Sequence, residues 1–323
     1  MPITSVERDL DAATLTVVAD FPVPVRRLWD AYADPRQLEK FWGPEGWPAT
    51  FTRHDMAVGG RSAYAMTGPD GESSRGYWEF VAVDAPNSFE VRDGFAGDDG
   101  EPSTEMPSMR MVFVFSETPE GSRLTTTTHF GSLEGRVQLR GMGREEGMRS
   151  AMAQIDDVVA DLASFAAGRA AELQLLDDTH VRVSRIIRGT PEQVWRAHHE
   201  PELMRQWLLG PDGWAMPVCE IAASVGDTYR NEWEKADGSE RFGFTGELLE
   251  QLPGVREVTT EAMIGMDGPP TINELTLTPV EGGTLLSLLI TYPSLELREM
   301  IIGTGMVDGM ETSYARLDSQ LAS

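Results

Sequence analysis

Arg27-Leu28-Trp29-Asp30-Ala31-Tyr32-Ala33-Asp34-Pro35 recurs later in the chain as Gln193-Val194-Trp195-Arg196-Ala197-His198-His199-Glu200-Pro201, with Trp, Ala and Pro at equal spacing. After a single inserted residue, Gly43-Pro44-Glu45-Gly46-Trp47 returns as Gly210-Pro211-Asp212-Gly213-Trp214. The register extends in both directions: Val58-Gly59 with Val225-Gly226, Gly76 with Gly243, Pro86 with Pro253, Gly147-Met148 with Gly309-Met310, and Ile155-Asp156 with Leu317-Asp318. A period of about half the chain means a whole domain written twice, not a solenoid of short units. The boundary is placed near Leu175 to Thr179, giving domains 1–174 and 175–323. Residues 168–176 have a helix-forming composition that lets the first domain run on into the linker.

Each copy reads in the same order. A β-branched run (Leu15 to Ala19; His180 to Ile187) predicts a strand. Pro24 and Pro191 then sit where a first helical turn tolerates a missing N–H, Thr190 is a ready N-cap, and Pro35 and Pro201 divide the helical stretch into two short helices. Alternating segments come next, punctuated by Gly59-Gly60, Gly68-Pro69-Asp70-Gly71, Ala85-Pro86-Asn87 and Thr118-Pro119-Glu120-Gly121, and by their counterparts Gly226-Asp227, Ala236-Asp237-Gly238, Leu252-Pro253-Gly254 and Glu281-Gly282-Gly283. These predict an antiparallel meander. A 3.6-period stretch closes each copy, with Met142, Met148, Ala151, Met152, Ile155, Val158, Val159 and Leu162 in the first and Ile301, Met306, Met310, Ser313, Tyr314, Leu317 and Leu321 in the second. A sheet with one apolar face must bury it, and this final helix is the amphipathic element long enough to cover it. The fold class expected is therefore α+β, a sheet curled around a long C-terminal helix, in tandem.

These residues resemble the family of activators of heat-shock-protein-90 ATPase homologues, within the START/SRPBCC helix-grip superfamily. The resemblance rests on the strand followed by Pro, Trp-x-Ala and a second Pro, on Phe41-Trp42-Gly43-Pro44, on Val58-Gly59-Gly60 and on Gly147-Met148, and it covers nearly the whole chain twice. It implies a hydrophobic cavity between sheet and terminal helix. The fold hosts lipid carriers, hormone receptors, cyclases and chaperone cofactors, so the resemblance specifies architecture more closely than activity. Where family members commonly carry Trp after the glycine entering the last helix, this chain has Met148 and Met310, flexible and polarisable side chains.

Composition narrows the partners. The 323 residues are 41% hydrophobic, as in ordinary globular proteins, and 52 Asp plus Glu against 27 Lys plus Arg give a net charge of −25. Such a surface repels polyphosphate and anionic lipid, and no basic stripe offsets it, so neither a nucleic-acid nor a membrane role is expected. No apolar run approaches the roughly 20 residues of a bilayer span. One cysteine, Cys219, and a Met1 end without a basic-then-apolar leader suggest a cytoplasmic protein.

The pocket expected in the first copy is lined by Trp42, Trp47, Tyr64 and Trp78, by Met109, Met111 and Phe113 of the penultimate strand, by Thr127 and His129 of the last strand, and by Met148 and Met152. In the second copy the lining is Trp207, Trp214, Tyr229, Leu275, Leu288, Met306, Met310 and Tyr314. Large aromatics and methionines are more often core than ligand contacts, and a strand histidine is more often a structural hydrogen-bonder than a base. Thr125, Thr127 and His129 align with Leu286, Leu288 and Ile290, so the first cavity is expected to be the more polar. Gly94 to Pro107 is about six residues longer than its counterpart in copy two, either a surface insertion or a lid. No cofactor and no metal is expected, since His54-Asp55 and His198-His199 are sequence neighbours that cannot share a face and Cys219 lacks a Cys-x-x-Cys partner. The function read is sequestration of a small apolar or amphipathic ligand. The alternatives are a cyclase or dehydratase using His129 as base and a chaperone-ATPase-activating interaction module; a homodimer and a chaperone partner stay open.

Overall fold

The computed structural model describes residues 3–9, 11–97, 100–103, 106–130, 150–155, 157–158, 170–210 and 213–321. The chain divides into two compact units, Met1–Phe165 and Ala166–Ser323. Met142, Met148, Val159 and Leu162 lie outside the described residues.

The first unit runs β1 (Ile3–Asp9), β2 (Thr14–Phe21), α1 (Val25–Ala33), α2 (Pro35–Leu38), β3 (Ala49–His54), β4 (Arg61–Thr67), β5 (Ser73–Asp84), β6 (Ser88–Phe95), β7 (Met109–Thr118) and β8 (Gly121–His129). Its sheet has the order β1-β2-β8-β7-β6-β5-β4-β3, and its paired strands are antiparallel. Alternation decides the faces: Leu15, Val17, Ala19 and Phe21 of β2 are buried, as are Met109, Met111, Phe113 and Phe115 of β7. Onto this face pack Leu28, Trp29 and Tyr32 of α1 and Met152, Ile155 and Val158 of the helical residues 150–155 and 157–158. Asp34 caps α2 by accepting from the Arg36 backbone N–H, and its carboxylate also holds the Arg36 guanidinium through two bonds of 3.0 and 3.1 Å.

The second unit repeats the plan with β9 (Glu172–Leu175), β10 (His180–Ile187), α3 (Pro191–His199), α4 (Pro201–Trp207), β11 (Trp214–Glu220), β12 (Thr228–Lys235), β13 (Arg241–Leu252), β14 (Arg256–Met263), β15 (Thr271–Val280), β16 (Gly283–Thr291), α5 (Leu295–Ile302) and α6 (Met306–Leu321). Its sheet order is β11-β12-β13-β14-β15-β16-β10-β9. Thr190 and Gln193 form a reciprocal capping box that starts α3. Tyr314 and Leu317 of α6 pack against Ile187, Leu275, Leu277 and Leu286, and Glu311 of α6 receives the buried Arg185 at 2.9 and 3.2 Å.

The repeated Gly-Pro-x-Gly-Trp loop does the same work in both units. The Gly43 carbonyl accepts from Gln154 at 2.8 Å and the Gly210 carbonyl accepts from Arg316 at 2.6 Å. Gln154 and Arg316 occupy the same place in the repeat, one residue before Ile155 and Leu317. The loop therefore fastens each terminal helix to the entry of the meander.

Three expectations are corrected. The short helices follow the second strand of each unit, because β1 and β9 add an edge strand. Glu172–Leu175 extends that sheet and does not continue a helix: Leu173 packs with Val181 and Ile290, so tertiary contact overrides local propensity. The closing stretch of the second unit is two helices, α5 and α6, broken at Gly303-Thr304-Gly305, where Gly305 takes φ +81°.

Candidate functional site

Hydrogen-bonded register puts the two units into residue-by-residue correspondence. The hairpins Thr118↔Gly121 and Val280↔Gly283 are equivalent, so Leu124, Thr126 and Thr128 match Leu286, Leu288 and Ile290. The expected alignment was one residue out in this strand, and also in β5, where Gly76 matches Phe244 and not Gly243. The consequence is a reversal of parity. Thr126 sits between Phe113 and Val17, and Thr128 between Met111 and Leu15, all on the inner face. Thr125, Thr127 and His129 point to the opposite face, where Thr127 meets Thr16 at 3.2 Å and His129 Nε2 lies 3.2 Å from Arg110, itself paired to Glu90. Thr127 and His129 are thus removed from the pocket lining, and the proposed histidine base leaves with them.

The inner face of the first unit is filled by rings. Phe89 and Phe113 stack at 4.3 Å, Trp29 stands edge-on to Phe115 at 5.3 Å, and Trp42 meets Trp78 edge-on at 4.5 Å. Met109, Met111 and Met152 complete it, each at most 3% exposed. Trp47 is half-buried beside Gly68. Within this packing sits a carboxylate that the sequence reading passed over, Asp93, which is 1% exposed and accepts from Tyr64 Oη and Trp78 Nε1, both at 3.1 Å. Tyr64 reaches it by lying flat over its register partner Gly76, whose missing side chain leaves room: a Cβ there would stand 2.4 Å from the ring. Met148 lies outside the described residues. The Gly94 to Pro107 insertion closes on itself where it is described, through an Ala96↔Pro102 bridge, and Arg61 reaches Glu101 at 3.3 Å.

The second unit keeps the acid and loses the rings around it. Glu261, opposite Thr271, occupies the position of Asp93, opposite Met109. The matched inner positions change from Trp78 to Gly246, Tyr64 to Asn231, Phe89 to Glu257, Met111 to Asn273, Phe113 to Leu275 and Phe115 to Leu277. Each of these exchanges removes volume, adds polarity, or both, whereas Thr126 to Leu288, Thr128 to Ile290 and Ser62 to Tyr229 run the other way. Tyr229 lies over its register partner Gly246, as Tyr64 lies over Gly76, and its hydroxyl donates to the Thr260 carbonyl at 3.1 Å and reaches the Glu261 carboxylate at 3.3 Å. Burial pushes the Glu261 carboxyl above its ordinary value, opposed by hydrogen bonds from Asn273 and Tyr229. Burial, reinforced by the Glu261 charge, likewise raises the Tyr229 phenol, and burial pushes the Tyr292 phenol up to about 12.

Around this polar belt Tyr229, Asn273, Leu288, Met306 and Met310 are neither buried nor exposed, whereas Met111 and Thr126, which match Asn273 and Leu288, are buried. The hydrophobic core of the second unit is accordingly split: Trp207, Tyr314, Leu275 and Leu277 form one cluster, and Trp214, Trp233 and Phe242 belong to another. Trp207 is buried and donates to the Ala197 carbonyl at 2.9 Å, so it is core and not rim. The first cavity was expected to be the more polar: in the last strand its inner positions are Thr126 and Thr128 against Leu288 and Ile290, whereas β12, β14 and β15 of the second unit carry Asn231, Glu257, Glu261 and Asn273.

The histidine pair of α3 divides its labour. His199 stacks on Trp195 at 3.9 Å, donates through Nδ1 to the Trp195 carbonyl at 2.8 Å and meets Glu257 through Nε2 at 2.6 Å. Nδ1 is spent within α3, and Nε2 fastens α3 to β14. His198 donates through Nδ1 to the Val194 carbonyl at 2.8 Å, while its buried Nε2 has no partner, and burial lowers its pKa to about 4. Among the described residues no group of His, Cys, Asp and Glu has the arrangement to hold a metal ion, and no helix is long and apolar enough to cross a membrane.

The chain is similar to known proteins. A family model described as activator of Hsp90 ATPase homolog 1-like protein matches residues 22–160 and again 188–322. No curated protein matches the chain. Among solved structures, protein Ms6760 from Mycobacterium smegmatis is 50% identical over 49% of this chain and 96% of its own, with a TM-score of 0.46. A protein from Arthrobacter aurescens is 42% identical over 49% of this chain and 92% of its own, with a TM-score of 0.47. One from Rhodobacter sphaeroides is 32% identical over 48% and 99%, with a TM-score of 0.45. The two matched segments span most of the chain and carry the duplicated Trp-x-Ala and Gly-Pro-x-Gly-Trp signatures: the protein belongs to the activator of Hsp90 ATPase homolog 1-like family, in two tandem copies.

Proposed function

We propose that this chain binds a small apolar or amphipathic molecule in helix-grip fashion, between the inner face of the second domain's sheet and α6, and that the first domain is its packed structural twin. The observation that supports this reading is the loss of the indole, phenol and phenyl groups of Trp78, Tyr64, Phe89 and Phe113 at Gly246, Asn231, Glu257 and Leu275. Tyr229, Leu275, Leu288, Met306, Met310 and Tyr314 supply the lining, with the methionines adaptable to ligand shape. Covering about 300 Å2 of apolar ligand surface at about 25 cal/mol per Å2 contributes about 7.5 kcal/mol before the cost of association, so hydrocarbon burial alone gives binding weaker than micromolar and polar contacts must supply the rest.

Native mass spectrometry of freshly purified protein and titration with an apolar fluorophore test the reading. Leu275→Phe restores the ring of the first copy and is expected to weaken fluorophore binding at least tenfold. Unchanged affinity in that variant would remove the second domain as the receptor.

A second reading rests on the β14–β15 hairpin, where Met263, Ile264, Met266 and Ile272 are all at least 36% exposed. If the chain contacts a chaperone, as the family's description suggests, this tip is the apolar surface available to it. Loss of chaperone-ATPase stimulation in Ile264→Glu, with fluorophore binding intact, separates the two readings.

A further inference from the structure

We propose that the second domain selects ligands carrying a protonated amine or an equivalent hydrogen-bond-donating head, received by Glu261 and Asn231, with the hydrocarbon part lying over Leu275 and Leu288. This inference rests on the ligand-binding reading above and names the ligand class of that same site.

Two independent observations point to a donor. The first is Glu261. Among the described residues its carboxylate forms no ion pair, and its side-chain contacts are neutral groups, Tyr229 and Asn273. The matched acid of the first copy, Asp93, is held by two donors, the Tyr64 phenol and the Trp78 indole. In the second copy the indole is gone at Gly246 and the phenol at that strand position is replaced by Asn231; Tyr229, from a different position, reaches the acid at 3.3 Å, beside Asn273. The second observation is Asn231 itself. It is 7% exposed, it shares the inner face of β12 with Tyr229 two residues away, and its Oδ1 has no hydrogen-bond partner. A buried acceptor left unpaired costs roughly 1–3 kcal/mol, which a donor from outside recovers.

Both groups are acceptors, so the complementary chemistry is a donor. An anionic head would face a carboxylate already raised by burial, while an ammonium stabilises its ionised form. Charged groups facing the belt from neighbouring elements leave the sign unchanged: Glu257 of β14 is engaged by His199 of α3, and Arg298 of α5, beside Tyr292, is held by the Asp177 carbonyl and Glu299. No lysine or arginine approaches Glu261 among the described residues.

The test is isothermal titration of the full chain with n-decylammonium, n-decanol and n-decanoate in 0.3 M NaCl, which screens the acidic surface. Decylammonium is expected to bind at least tenfold more tightly than decanol, with decanoate weakest. Glu261→Gln is expected to abolish the preference for decylammonium over decanol, and Asn231→Leu to reduce it several-fold. Because the three probes are compared first on the unaltered protein, the ranking does not depend on any variant folding. Equal binding of all three probes, with decanol still weakened by Leu275→Phe, overturns this inference and leaves the ligand-binding reading standing. Absence of binding by every probe overturns both.

Discussion

His198 makes the second domain acid-sensitive by a calculable amount. The imidazole lies between Trp207 at 4.7 Å and Tyr314 at 6.4 Å, it holds one proton on Nδ1 for the Val194 carbonyl, and its buried Nε2 has no partner. A second proton there would create a cation in apolar surroundings, which is why its pKa falls from 6.5 to about 4. The unfolded chain takes up that proton near 6.5 and the folded chain only near 4, so acid favours unfolding. The penalty is absent above about pH 7, grows as pH falls through the window from 6.5 to 4, and levels off below it. Its full size is about 3 kcal/mol, and about 2 kcal/mol is already felt at pH 5. His198→Phe removes the titrating group while keeping a ring against Trp207. Urea unfolding of both proteins at pH 7.5 and pH 5, followed by tryptophan fluorescence, isolates the effect, because other titrating groups are shared. The variant is expected to lose about 2 kcal/mol less on acidification than the parent. Histidine ring resonances give an independent check: of the five, the one missing in His198→Phe should not titrate above about pH 5. Equal acid sensitivity in the two proteins, or a ring that titrates near 6.5, would refute the reasoning.

Other expectations rest on the same packing. Asp93→Asn can keep a carbonyl oxygen for the Tyr64 and Trp78 donors, which share Oδ1, but it removes the charge from both bonds and puts an NH2 where Oδ2 stood, and is expected to cost roughly 1–3 kcal/mol in urea unfolding of the first unit. Gly76→Ala should be comparably destabilising, because the added Cβ would displace the Tyr64 ring from 2.4 Å. Arg316→Ala frees the Gly210 carbonyl and should raise backbone hydrogen exchange in the loop after it, with no effect in the matching loop after Gly43. His129→Ala, on the outer face, is expected to leave fluorophore binding unchanged, and a loss of binding would restore it to the pocket.

Residue 93 shows how far the sequence could be read. Phe89, Val91, Asp93 and Phe95 alternate, so period two alone places a carboxylate on an apolar face, a signal that was present and missed. Residues 124 to 129 show the opposite case. Leu124-Thr125-Thr126-Thr127-Thr128-His129 carries so little hydrophobic contrast that either parity is plausible, and only pairing with Met111 and Phe113 on one side and Leu15 and Val17 on the other fixes which threonines turn inward. The same holds for Glu172 to Leu175, whose strand exists because β10 offers it an edge.

The repeat, the pair of short helices, the antiparallel meander and the family were determined by the sequence alone, because periodicity, proline and glycine placement, and recurrent motifs act locally and survive without knowledge of neighbours. Which faces point inward, and hence that one copy is closed by aromatic rings while the other keeps a polar belt with Glu261 in it, was decided only by tertiary structure. A single residue of slip in strand register exchanges every side chain between core and surface, and that register is set by hydrogen bonds between segments far apart in the chain.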